Sequence, residues 1–216
     1  MRWAENEGVR WLEADLPGAR AAFSTRSAGS VKESRDPLAA ALGLPPDRIA
    51  TAHQVHGANL STRQEPTPEA DGHVVTEPGW AALVFVADCL PIAVAGPDGV
   101  AILHCGWRGL AAGIVTRGVD AMGATHAAIG PGIGPCCYEV GDEVLDAFAG
   151  LGEGVASGRM LDLPEVARCL LREAGVEEIE SADLCTSCEE VLFFSHRRDG
   201  GPGRQAGLVW LEEARG

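Results

Sequence analysis

Between Leu90 and Cys105 two apolar runs, Pro-Ile-Ala-Val-Ala and Val-Ala-Ile-Leu, flank the tetrapeptide Gly96-Pro97-Asp98-Gly99. Gly, Pro and Asp favour a tight turn, and apolar runs on either side of one predict a β-hairpin. Pairing Ala95 with Val100 sets the register: Pro91 then faces His104 and Cys89 faces Gly106. Cys89 and His104 become diagonal neighbours on one face, about 7–8 Å apart at the backbone and within reach of each other's side chains. Cys105, one residue further on, is directed to the opposite face. Only a bulge at the Asp88 or Gly106 end would undo this arrangement.

A third candidate ligand comes from the block Gln-Val-His-Gly ending at Gly57. His56, Cys89 and His104 together offer two imidazoles and one thiolate. Three protein ligands leave a tetrahedral zinc one position short, as in a catalytic rather than a structural site, because the remaining corner takes water or substrate. An enzyme is the leading reading. The alternative is a non-enzymatic module in which a metal merely locks a loop.

A chain of 216 residues, 46% hydrophobic, can bury a full core, and no Gly/Ser linker or charge block divides it, so residues 1–216 read as one domain. The start, Met-Arg-Trp-Ala-Glu-Asn-Glu, lacks a continuous apolar stretch, and Asp88 and Pro91 break the longest apolar region; neither a signal peptide nor a membrane span is expected. Seven cysteines, an odd number, fit a reducing cytoplasm better than a disulfide framework. The formal charge of -14 excludes nucleic acid as a partner, since phosphate-backbone binding needs a basic surface. Small anions can still be held by local arginines.

Along the chain, Ala21–Ser24 reads as the end of a first strand, followed by a polar loop to Asp36. A helix is expected over Pro37–Leu42, stopped by Gly43 and Pro45-Pro46, and Asp47 is positioned to cap a short helix toward His53. Asp71–Thr76 and Ala82–Val86 read as strands. Gly109 opens a helix running to Met122 on the spacing of Leu110, Ile114, Val115, Val119 and Met122. Ala127–Ile129 is a short strand, and Gly130–Pro135 a forced loop. A helix is expected over Asp142–Phe148. Another starts around Pro164 and ends before Gly175, with Val166, Leu170 and Leu171 inward. Val191–Phe194 and Leu208–Leu211 complete the strands. Elements alternate without a strict strand-helix repeat, which predicts a mixed α/β (α+β) sandwich with flanking helices.

Several ordered blocks then resemble the laccase-domain family, also known as multicopper polyphenol oxidase, YfiH-like protein, peptidoglycan editing factor and purine nucleoside phosphorylase. They are the three ligand blocks, Ser24-Thr25-Arg26, Asp71-Gly72 ahead of Val75-Thr76, Ile129-Gly130-Pro131, Cys137-Tyr138-Glu139-Val140-Gly141, Cys185-Thr186, and Phe194 to Asp199 with Gly203-Arg204. The resemblance implies a mixed-sheet fold related to cysteine-hydrolase-like domains. It also implies a monomeric cytoplasmic zinc enzyme that phosphorolyses adenosine, inosine, guanosine and methylthioadenosine and deaminates adenosine. It places the metal on His56, Cys89 and His104, with Cys89 and His104 catalytic. Two features depart from the family's pattern: the segment between Arg26 and Ala52 is shortened, and Cys105 stands where Ala is usual.

Around these residues Gln54, Arg26, Arg108 and His196 are candidates for orienting a purine nucleoside and phosphate, with salt bridges supporting the fold as the plainer reading of Arg108. Arg197, Arg198 and Arg204 read equally as a solvated loop or an anion clamp. Asp88 reads equally as a loop-orienting cap or a catalytic group, His53 as a neighbour of the ligands or a surface residue, and His73 and His126 as satisfied by local hydrogen bonds. Cys185-Thr-Ser-Cys188 has the spacing of a redox or zinc-knuckle pair, yet no second pair at metal spacing accompanies it. Cys136 and Cys137 are expected to be buried packing residues. Rival activities are a cysteine hydrolase editing peptidoglycan precursors with Cys89 as nucleophile and His104 as base, and copper-dependent phenol oxidation. The latter needs many more histidines than the six present.

Overall fold

A computed structural model describes residues 1–63 and 65–212. In chain order the strands among them are β1 (Arg2–Asn6), β2 (Val9–Leu16), β3 (Ala19–Ser24), β4 (Ile49–Ala50), β5 (Leu60–Ser61), β6 (Gly72–Val75), β7 (Ala81–Val86), β8 (Leu90–Gly96), β9 (Gly99–Cys105), β10 (His126–Ile129), β11 (Ala156–Ser157), β12 (Met160–Leu161), β13 (Glu178–Ser181) and β14 (Gln205–Leu211). The helices are α1 (Asp36–Leu42), α2 (Trp107–Ala111), α3 (Ile114–Met122), α4 (Asp142–Phe148), α5 (Leu163–Glu173) and α6 (His196–Asp199).

Two mixed six-stranded sheets form, in the orders β1-β2-β3-β14-β7-β4 and β13-β10-β8-β9-β6-β5, with β11-β12 as a small separate ribbon. Period-two alternation decides how they stack. In β8, Ile92 and Val94 face the helical side while Ala93 and Ala95 face the other sheet; in β9, Ala101, Leu103 and Cys105 take the helical side and Val100 and Ile102 the inter-sheet side. Both faces of this hairpin are thus buried, which is why it reads as continuous apolar runs. Fully burying each of Ile92, Val94, Ile102 and Leu103 contributes about 1.5–3 kcal/mol. The inter-sheet core adds Phe23, Val84, Val86 and Val209, while α1 covers the outer face of the first sheet with Leu38 and Ala39. The result is a four-layer sandwich of helix, sheet, sheet and helices, the mixed-sheet α/β architecture expected. At one crossing the sheets approach so closely that a Cβ on Gly207 would lie 2.4 Å from Pro91 Cβ.

The hairpin forms in the expected register, with Ala95 opposite Val100 and Pro91 opposite His104. The α1, α4 and α5 helices also form where expected. Asp162 caps α5 by accepting the Glu165 amide at 2.9 Å, and Val166 and Leu171 turn inward. Four expectations need correction. Ala21–Ser24 belongs to the third strand, not the first, because β1 and β2 precede it; the charges that disguise β2 are neutralised locally, Glu13 being buried against Arg2 and Arg20. The span from Gly109 to Met122 is two helices, broken at Gly113, whose φ of 84° takes the left-handed region. The turn after Pro45 is a 3-10 turn over Pro46–Arg48 followed by β4, so His53 and His56 lie on loop rather than on one helical face. Val191–Phe194 is not a strand: Phe193 is buried in the core while Val191 stands 90% exposed in a turn.

Candidate metal centre and cavity

Three chain segments meet at one end of the sheets. His56 comes from the connection between β4 and β5, Cys89 from the bend between β7 and β8, and His104 from the end of β9. Their ligating atoms lie within 4.8 Å of one another, and the two imidazole rings meet edge to face at 4.8 Å between centroids. Two imidazoles and a thiolate this close match the donor set and spacing of a three-ligand zinc site. Cys105 points away into the helical core, as the alternation requires. Burial holds its thiol far above the ordinary range, with the neighbouring Cys89 and Asp71 charges adding to the effect.

One buried carboxylate organises the triad. Asp71 is fully buried and accepts the amides of Val55, His56 and Gly57 at 3.1, 2.9 and 2.8 Å. These bonds hold His56 at a φ of 60°, a conformation uncommon for a residue with a side chain. The same carboxylate lies 2.8 Å from His104 Nδ1. A carboxylate accepts there, so Nδ1 carries a proton and Nε2 is the nitrogen available to the Cys89 sulfur or, once deprotonated, to a metal. Burial alone would raise the Asp71 pKa, but its bonds to His104, Gly57 and Val55 lower it below the usual range. The position ahead of β6 was legible as a family block, yet nothing local marked Asp71 as the residue that aims two ligands.

Without metal, burial pushes the Cys89 thiol up, and the stronger attraction of His104 and His56 brings it down to about 6. His104 is pushed down by burial and then raised to about 9 by the Cys89 thiolate and Asp71. Both shifts favour a thiolate beside an imidazolium. Gly106 completes the enclosure: a Cβ there would stand 2.9 Å from Cys89 Sγ and 3.2 Å from His56 Cδ2, so any larger residue displaces a ligand.

The triad opens onto a cleft of about 510 Å³, within the range of small-molecule sites. Phe85, Ala87, Ile133 and Tyr138 give it apolar and aromatic surface, and Lys32, His196, Arg197 and Arg204 ring it with cationic or titratable groups. Gln54 and His196 line the cleft. The Gln54 amide grips the backbone of Phe85, donating to its carbonyl at 2.8 Å and accepting its N–H at 2.7 Å. Arg26 and Arg108 are not among the lining residues: Arg26 donates to the Glu190 carbonyl and stacks on Phe194, and Arg108 stacks on Trp107. Asp88 is an anchor: with a φ of 86° it accepts the Thr186 hydroxyl and the Arg197 amide, both at 2.7 Å, tying the Cys89 bend to α6. Arg197 donates to the Cys137 and Glu139 carbonyls, and Arg198 to those of Thr186, Ser187 and Phe193. Arg204 spends one nitrogen on the carbonyls of Gly201 and Gly203, which leaves donors of its five N–H groups for an anion.

His53 also lines the cleft, 3.8 Å from Glu69. His126 meets the Thr125 hydroxyl at 2.9 Å, a local bond as expected. His73 differs from expectation: its Nε2 is buried with no hydrogen-bond partner among the described residues, and burial lowers its pKa to about 4, keeping it neutral.

The family profile described as "Multi-copper polyphenol oxidoreductase laccase" matches residues 22–212. The chain is 40% identical over 195 residues to "Purine nucleoside phosphorylase" of Deinococcus radiodurans, covering 83% of this chain and 75% of that protein. It is 37% identical over 197 residues to "Purine nucleoside phosphorylase YfiH" of Escherichia coli strain K12, covering 84% and 81%. The crystal structure of YlmD from Geobacillus stearothermophilus superposes with a TM-score of 0.84 at 32% identity, covering 98% of this chain and 99% of that one. A shared profile over most of the length, relatives above a third identity and a superposable fold agree: this chain belongs to the multi-copper polyphenol oxidoreductase laccase family, which includes YfiH and YlmD.

Proposed function

We propose that the protein is a zinc-dependent purine nucleoside phosphorylase acting on adenosine, inosine, guanosine and methylthioadenosine, with a hydrolytic adenosine deaminase activity at the same site. The observation that carries this reading is the convergence of His56, Cys89 and His104 at the floor of a cleft with aromatic walls and a cationic rim. The names of the relatives support it. Zinc held by these three residues would supply Lewis acidity toward an oxygen of phosphate or a substituent of the nucleoside.

The protein's own groups do the rest. Phe85, Ile133 and Tyr138 offer a surface on which a purine ring can pack. Arg204 and Lys32 offer charge to a phosphate, and His196 and Gln54 stand where they can orient the sugar. In phosphorolysis a phosphate oxygen bonds to the anomeric carbon as the glycosidic C–N bond breaks, and the electron pair and a proton end on the departing base. Burial first, and then the Cys89 charge, push the Tyr138 hydroxyl to about 12, so it keeps its proton at neutral pH and can donate a hydrogen bond to the departing base, while the proton that ends on the base comes from the attacking dihydrogen phosphate. In deamination, water adds to the amino-bearing carbon and ammonia leaves.

Inosine and phosphate incubated with zinc-replete protein are expected to give hypoxanthine and ribose 1-phosphate; no turnover under those conditions rejects the assignment. A second reading has one observation in its favour. Asp71, His104 and Cys89 also stand in the order of an orienting carboxylate, a base and a thiolate, the constellation of a cysteine hydrolase such as a peptidoglycan-precursor editing enzyme. Exhaustive chelation separates the two, abolishing the phosphorylase and sparing a thiol hydrolase. Copper-dependent phenol oxidation finds less support. Among the described residues the metal-competent clusters bring together only two of the six histidines, too few for several copper centres.

A further inference from the structure

A second group of ligands lies outside the cleft. Cys136 and Cys137, in the turn after β10, meet Cys185 and Cys188, 48 to 52 residues later, with all four sulfurs within 4.8 Å of one another. The Cys136–Cys188 and Cys137–Cys188 sulfur pairs are both 3.4 Å apart. Zinc–sulfur bonds of about 2.3 Å at tetrahedral angles place the sulfurs about 3.8 Å apart, whereas a disulfide would need about 2.05 Å. The observed spacing matches a tetrathiolate and not a bridge. We propose that Cys136, Cys137, Cys185 and Cys188 bind a second, structural zinc ion with all four positions filled by sulfur.

The backbone around the sulfurs is built for that role. The Gly134 amide donates to Cys185 Sγ at 3.2 Å, a contact that spreads thiolate charge into an N–H group, and the Cys188 amide closes the turn on the Cys185 carbonyl at 3.2 Å. Gly134 packs closely on the same cysteines: a Cβ there would lie 3.3 Å from Cys185 Cβ and in ordinary contact, 3.5 Å, with Cys136 Sγ. A single backbone bridge, Gly132 to Cys185, already aligns the two segments. Four thiolates and one divalent ion leave two negative charges, and Arg197 and Arg198 stand over the same two segments with their guanidinium groups on the carbonyls of Cys137, Thr186 and Ser187. Cys136 and Cys188 are exposed, so an ion can enter without unfolding.

The ion would pin a wall of the cleft. Tyr138 adjoins Cys137, Arg197 bridges from that turn to Asp88, and Thr186 lies between the two late cysteines and donates to Asp88. The Arg197 and Thr186 bonds to Asp88 end one residue from Cys89. The second ion therefore acts by positioning and touches no reactant.

Metal content of the full-length protein, purified without added metal and under reductant, decides the matter. Two zinc ions per chain are expected in wild type, and one each in Cys89→Ala and in the Cys136→Ser/Cys188→Ser double variant. Cobalt replacement of Cys89→Ala should give the intense sulfur-to-cobalt charge-transfer bands of a tetrathiolate. Should the double variant fail to fold, alkylation of wild type read by mass spectrometry replaces it: the four thiols are protected until chelator is added. Equal labelling with and without chelator, bound iron in place of zinc, or a stoichiometry unchanged by the double substitution overturns the proposal. All of these readouts are independent of whether inosine is a substrate.

Discussion

The two ligand clusters are built in opposite ways. His56 and Cys89 come from two connections and His104 from the end of β9; a buried carboxylate aims the two histidines, and the three open onto a cleft. The four cysteines come from two short turns, with Cys136 and Cys188 exposed and Cys137 and Cys185 half-buried, and their sulfurs face one another. A mixed nitrogen and sulfur set with a free corner needs a rigid frame, because each imidazole must be oriented as well as placed, and the sheets supply it. An all-sulfur set tolerates rotation about each Cβ–Sγ bond and can form on loops. The difference fits the proposed chemistry at the first cluster and the proposed pinning at the second.

The largest effect that would break this contrast comes from Cys89→Ala. Turnover of inosine should be lost, with one zinc retained and the fold intact by circular dichroism; global unfolding would instead make the first centre structural. Next, Asp71→Asn removes the charge that orients His104 while keeping a similar shape. Metal affinity at the first site or kcat should fall by about 10–100-fold, with the tetrathiolate cobalt spectrum unchanged; equal losses at both sites would show that they are not independent. Gly106→Ala should cost about 1–3 kcal/mol in denaturant unfolding through overpacking against Cys89 and His56 and weaken the first site selectively.

A smaller effect is expected from pH in the metal-stripped protein. The Cys89 pKa is depressed from 9.0 to about 6, so its contribution to stability is full above 9.0 and gone once pH falls through about 6. The His104 pKa is raised from 6.5 to about 9, so its contribution is full below 6.5 and gone above about 9. Each shift comes in part from the other partner, and the shared attraction exists only while both are charged. Denaturant midpoints should therefore be highest between about 6 and 9 relative to Cys89→Ala and converge with it outside that window; a flat difference across pH would mean the pair is not ionised.

The hairpin and the faces of its residues were legible in the sequence because alternation and turn chemistry are local. Once Gly96–Gly99 fixes the register, the faces of Cys89, His104 and Cys105 follow without further information. α1, α4 and α5 were legible for the same reason, each bracketed by Pro, Asp or Gly. The continuous apolar spacing from Leu110 to Met122 concealed a break at Gly113. Likewise, Val191–Phe194 reads as a strand, whereas among the described residues it pairs with no strand and begins in a turn.

What the chain determined by itself is the set of donors and the two-residue period that sorts them onto faces, both consequences of covalent spacing. Which donors meet was decided only by tertiary structure. Asp71 reaches His104 because β6 pairs with β9, and Cys136 and Cys137 reach Cys185 and Cys188 because the turn after β10 lies against a segment that follows β13, its parallel neighbour. Contacts between residues dozens of positions apart depend on the packing of whole sheets, and no local pattern encodes that.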